Sequence, residues 1–207
     1  MPTEVKGVIE LRKALAQFAP DLAKELKREL NDILKPIVRE AQSFVPAISP
    51  MSGWAPRAMS EASFPFYDSG EIRRGIVFKT TPSLENAQGF KNVIRIQNLS
   101  AAGAIYETAG RKNGQGQDWV GPGGGSSKGK SRSVNPYAGN QFISNLGNLY
   151  GSGKKSGIQS MMGRLIFRAW AATQGKANAS VLKAIKNAEE KFSKRAGAAA
   201  GLGRIAA

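Results

Sequence analysis

The sequence predicts an α+β protein: a long, kinked N-terminal helix and a C-terminal helix packed on a small antiparallel β-sheet, with a long glycine-rich basic insertion. Three observations predict it. Apolar residues recur at spacings of three and four from Leu11 to Phe44 and again from Met161 to Phe192. Short runs between residues 75 and 110 alternate with period two. Residues 111–156 lose both periods and hold eleven glycines, seven Lys or Arg and one acid. Periods of 3.6 and 2 mark one-sided helices and half-covered strands, and their absence marks a loop.

Leu11, Leu15, Phe18, Leu22, Leu26, Leu30, Ile33, Ile37, Ala41 and Phe44 form one apolar stripe, with Lys24, Lys27, Arg28, Asp32 and Arg39 on other faces. Pro20 divides the stripe, because proline is at home in the first turn of a helix. The reading is a short helix over 7–18 and a longer one over 20–44. Pro36 kinks the second, since it lacks an N–H and crowds the preceding turn.

The connector that follows, "VPAISPMSGWAPRAMSEASFPFYDSGEIRRGI", contains Pro46, Pro50, Pro56 and Pro65 and is expected to be extended. Trp54, Phe64, Phe66 and Tyr67 supply the apolar area to pin it, either on the chain's own core or on another subunit. Strands are expected at "GIVFKTT" (75–81), "NVIRIQN" (92–98) and within "AAGAIYETAG" (101–110), with the N-terminal helix covering one face of their sheet. In the insertion only Phe142, Ile143, Leu146, Leu149 and Tyr150 have the spacing for a short helical turn. The last helix carries Arg164, Arg168, Lys183, Lys186, Lys191 and Lys194 on its polar face, with a weak point at Gly175. The organisation read from this is a helix and sheet core over 1–110, the insertion over 111–156, a C-terminal helical part of the same domain over 157–195, and a flexible tail over 196–207.

Composition removes much of catalytic chemistry. The 207 residues include no cysteine and no histidine, so disulfides, thiolate or imidazole metal sites and histidine-dependent triads are excluded. Asp68 with Glu71, and Glu189 with Glu190, read as solvated charges rather than a paired acid and base. No run approaches the roughly 18 apolar residues of a membrane span. The expectation is a protein without catalytic, cofactor or metal residues, made in a cytoplasm and having no membrane partner.

"GPGGGSSKGKS" (121–131) formally matches a phosphate loop, from Gly124 through Gly129 and Lys130 to Ser131. A working phosphate loop joins a buried strand to a helix, so that backbone N–H groups converge on the anion. Pro122 and its glycines forbid the strand, and Pro136 stops the helix. The match is read as compositional.

The net charge of +15 is uneven: residues 1–118 hold 16 Lys or Arg and 13 Asp or Glu, whereas 119–207 hold 14 and 2. Lys128, Lys130, Arg132, Lys154 and Lys155 suit phosphate without sequence preference, or an acidic protein surface. A non-sequence-specific nucleic-acid-binding protein, using this basic C-terminal half, is therefore the alternative function. Trp119 and Tyr137 are sparse for base stacking.

"GVIELRKAL", the connector "SFVPAISPMSGWAP", "FPFYDSGEIRRGI" and "AAGAIYETAGR", followed by a long insertion and a final helix, resemble in that order the neck and tail-completion proteins of long-tailed bacteriophages. The likeness covers residues 5–195 and is one of arrangement. Within it "IYETAGR" is similar to a tyrosine, glutamate and glycine strand end of that family, matching Tyr106, Glu107 and Gly110. The resemblance implies a structural subunit of the virion at the head–tail junction, closed into a homo-oligomeric ring between the head connector or stopper and the tail terminator or tail tube. It implies no enzymatic activity and no cofactor. Trp54, Phe64, Phe66, Tyr67, Tyr106, Glu107, Gly110 and Trp119 become candidate contacts to subunits or partners, and the basic residues candidate contacts to genomic DNA in the lumen.

Overall fold

The computed structural model describes residues 7–54, 65–85, 91–92, 94–111, 137–151 and 162–205. The fold is α+β, with helices α1 (Val8–Phe18), α2 (Pro20–Ser43), α3 (Ser69–Gly75), α4 (Ala101–Thr108), α5 (Ala138–Asn145) and α6 (Ile166–Ile205). Strands β1 (Ile76–Lys79) and β2 (Arg95–Asn98) pair with each other. Strands β3 (Tyr150–Gly151) and β4 (Met162–Gly163) pair antiparallel, Tyr150 opposite Gly163. The backbone divides into two compact units, residues 1–36, 78–95 and 173–207 in the first and 37–77 and 96–172 in the second.

The first unit is built on the leucine stripe. Leu15, Ala19, Leu22, Leu26 and Leu30 are buried with Ala184 and Ala188 of α6, and Leu11, Ile33, Ile94, Val181 and Phe192 pack around them. Leucines at every fourth position keep one face of α2 apolar, and the alanines let α6 approach it closely. Lys191 bonds Glu25 at 2.5 Å, and Arg195 bonds Asp21 at 2.7 Å. These exposed pairs orient the helices more than they stabilise them. Pro36 stands inside α2, which continues to Ser43.

In the second unit Ile37, Val38, Ala41, Val45, Trp54, Tyr67, Ile72, Ile76, Tyr106, Leu146 and Leu165 are buried. Here the connector is anchored: Trp54 Nε1 donates to the Pro65 carbonyl at 2.7 Å, and the Tyr67 hydroxyl to the Pro46 carbonyl at 2.6 Å. The Trp54 ring meets Tyr67 and Phe142 edge to face, at centroid distances of 5.2 and 5.1 Å. Asp68 caps α3 by accepting from the Glu71 N–H at 2.8 Å, and Gln42 closes the helix by donating to the Arg73 and Ile76 carbonyls.

Several elements differ from the sequence reading. "AAGAIYETAG" is helix α4 rather than a strand. Ser100 caps it, accepting from the Gly103 N–H at 3.2 Å, and Ala102 and Tyr106 bury one helical face. Four residues of spacing on one face outweighed the local alternation, an ambiguity inherent in short apolar runs. Among the described residues the expected three-stranded sheet is reduced to β1 with β2, and a second pair, β3 with β4, forms from residues not read as strands. Helix α3 occupies "SGEIRRG", expected as part of the extended connector, and Asp68, read as a solvated charge, is its cap. Helix α6 passes Gly175 without a break and runs on through Ile205, into the expected flexible tail. The alanines around 196–200 favour that continuation. The short helix expected near Phe142 is α5, while Trp119, the phosphate-loop match and most of the insertion lie outside the described residues.

Gly110 follows α4 with φ of +82°, and a Cβ there would stand 2.6 Å from Ile143 Cγ2 on α5. Both a left-handed backbone and a close approach therefore require glycine. Gly110→Ala is expected to cost about 1–3 kcal/mol, read as a lowered melting temperature. An unchanged melt would contradict this role.

Candidate functional site

The Tyr106 to Arg111 segment carries the most heavily bonded polar cluster described in the second unit. Glu107 lies on the buried face of α4 and is only 4% exposed. Its carboxylate accepts from the Leu165 N–H and, at 2.9 Å, from the Phe167 N–H. Those are unpaired donors at the start of α6, so Glu107 caps a 40-residue helix across a gap of about sixty residues in sequence. Gly163 makes this possible, since a Cβ there would lie 2.3 Å from Glu107 Oε1.

Arg164, 3% exposed, complements the carboxylate. Its guanidinium donates to the Tyr106 and Ala109 carbonyls at 3.0 and 2.9 Å, where α4 ends, and to the Gly147 carbonyl at 3.1 and 2.8 Å. One side chain thereby satisfies the last carbonyls of α4 and the turn after α5. Arg111 donates to the Met162 carbonyl and stacks over Phe167, 4.5 Å from the ring centre. Its Nη2 is buried with no hydrogen-bond partner among the described residues.

Burial pushes the Glu107 carboxyl above its usual value, outweighing the opposing N–H donors of Phe167 and Leu165 and the charge of Arg111. The native carboxyl then holds a proton at pH values where the unfolded one has lost it. The native state binds more protons across that window, so the contribution of Glu107 is greatest below the ordinary carboxylate value and falls as pH rises through the raised one. Glu107→Gln should flatten this part of the pH profile of the melting temperature. An identical slope in wild type and variant would contradict it. Burial likewise raises the phenols of Tyr67 and Tyr106, the latter against the opposing charges of Arg164 and Arg168.

Arg168, in the first turn of α6, lies close to two rings. Its guanidinium carbon is 4.0 Å from the centre of Phe44 and 4.3 Å from that of Tyr150. The cluster therefore brings Tyr106 and Glu107 together with Arg111 and Arg164. Arg164 and Arg168 were read on the polar face of the last helix, yet Arg164 precedes α6 and is buried. Arg164 stands two residues before α6, so helical spacing gave no signal of its burial.

Among the other candidate contacts, Trp54 and Tyr67 are buried within their own unit, while Phe66 is 41% exposed. Phe64, Trp119, Lys128, Lys130, Arg132, Lys154 and Lys155 lie outside the described residues. Among the described residues no group of three or more His, Cys, Asp or Glu could hold a metal ion, and no helix is long and apolar enough to cross a membrane. No protein-family pattern, curated protein or solved structure matches this chain.

Proposed function

We propose that this chain is a structural subunit of a phage head–tail junction, assembling as a closed ring that joins the head connector to the tail and performing no chemistry of its own. The observation that carries this reading is the use of the segment in which the resemblance is most specific. Glu107 binds the first N–H groups of α6, and Arg164 binds the last carbonyls of α4. Their hydrogen-bonding capacity is directed at backbone, which makes this segment a rigid joint. Each unit also leaves large apolar side chains open to solvent: Phe18 and Leu84 in the first, Ile48, Phe66, Leu99 and Tyr137 in the second. A ring of identical copies uses such surfaces in heterologous contacts, one patch meeting a different patch on the next copy.

Negative-stain images of the purified chain should show closed rings, and duplex DNA titrated at two salt concentrations should bind weakly. Monomers that bind duplex DNA at micromolar concentration or tighter, with a steep salt slope, would favour the nucleic-acid alternative.

A further inference from the structure

We infer that the chain contains a hinge, made by Pro36 of α2 and Gly175 of α6, about which its two compact units swing. The backbone passes from one unit to the other at 36–37 in α2, at 77–78 in β1, at 95–96 in β2 and at 172–173 in α6. Both helical passages carry a residue that weakens a helix. Pro36, at the boundary itself, has no N–H to give the Asp32 carbonyl, and its ring crowds that turn. Gly175 stands within one turn of the boundary in α6, and its surroundings do not require glycine. It is exposed, its φ is outside the left-handed region, and a Cβ there would meet no atom within 4 Å. What glycine changes at this position is the helix, which it weakens relative to alanine, and Thr173, Asn178 and Ser180 beside it are also modest helix formers.

Packing does not compensate for the weak stretch. None of residues 170–176 is buried, whereas Ala169 before them and Ala177, Ala184 and Ala188 after them are. Helix α6 is instead held on either side: Glu107 fixes its first N–H groups, and the leucines of α2 bury Ala184 and Ala188. A helical stretch without buried side chains, set between two anchored ones, is where opening costs least. The other two passages run through β1 and β2, strands of four residues in a two-stranded sheet, which twists more freely than a wider one. All four passages therefore yield to bending, the property of a hinge between bodies. The inference concerns a single chain and does not rest on the ring reading.

The test uses full-length protein, which has no cysteine, so Asn145→Cys in the second unit and Lys183→Cys in the first, both exposed, place one pair of spin labels. Diluted with unlabelled chain, the pair should give a broad distribution of distances. Pro36→Ala restores the missing N–H and Gly175→Ala strengthens α6, so together they should narrow that distribution and keep or raise the melting temperature. Gly175→Ala alone should slow amide exchange at 175–179 by roughly fivefold and leave 184–188 unchanged. A wild-type distribution as narrow as that of the double variant, or wild-type exchange at 175–179 as slow as at 184–188, would overturn the inference. A broad distribution that both substitutions leave unchanged would overturn the assignment to Pro36 and Gly175. Neither readout depends on assembly: a chain that is monomeric at all concentrations would overturn the ring reading and leave the hinge standing.

Discussion

Glu107→Ala should lower folding stability by about 3–5 kcal/mol, the range for removing one member of a buried charged network. The loss has three parts that act together. The Leu165 and Phe167 N–H groups lose their acceptor, a cavity opens against Gly163, and Arg111 and Arg164 keep their charges without the nearby carboxylate. The damage should start at the first turn of α6, so amide exchange at Leu165 and Phe167 should accelerate before exchange in the first unit does. Gly163→Ala should mimic the variant in weaker form by displacing the carboxylate. A Glu107→Ala protein that melts with wild type, yet fails to form rings, would show that the carboxylate serves an interface rather than the joint.

Trp54→Ala is the second large effect, about 3–5 kcal/mol for truncating a buried tryptophan. Trp54 is 2% exposed, holds the Pro65 carbonyl and packs edge to face on Tyr67 and Phe142. Its removal frees the connector at both ends, and the melting temperature should fall by many degrees. If stability stays within a few tenths of a kcal/mol of wild type while assembly weakens, Trp54 is a surface contact and its place in the second unit's core is refuted.

The helical parts of this fold were legible because their signals are periodic and local. The leucines of α2 and the prolines at 20 and 36 locate that helix to within a residue of its observed end at Ser43. The α4 segment was not, because eight residues with alanine and glycine on both faces satisfy either period, and the deciding contacts come from α6 far along the chain. The same cause hid Arg164. Nothing adjacent to it announces burial, and its partners are carbonyls at 106, 109 and 147 that only the fold brings together. Tyr106, Glu107 and Gly110 were singled out as a group, as a strand end. Their structural role is the end of a helix, with Glu107 turned to cap another.

The central claim, that this chain is an assembling subunit, is tested most directly by the mass of the purified protein across a concentration series. One discrete species should appear above a threshold concentration, at a fixed integer multiple of the 22.1 kDa chain. A single 22.1 kDa species at every concentration would contradict it.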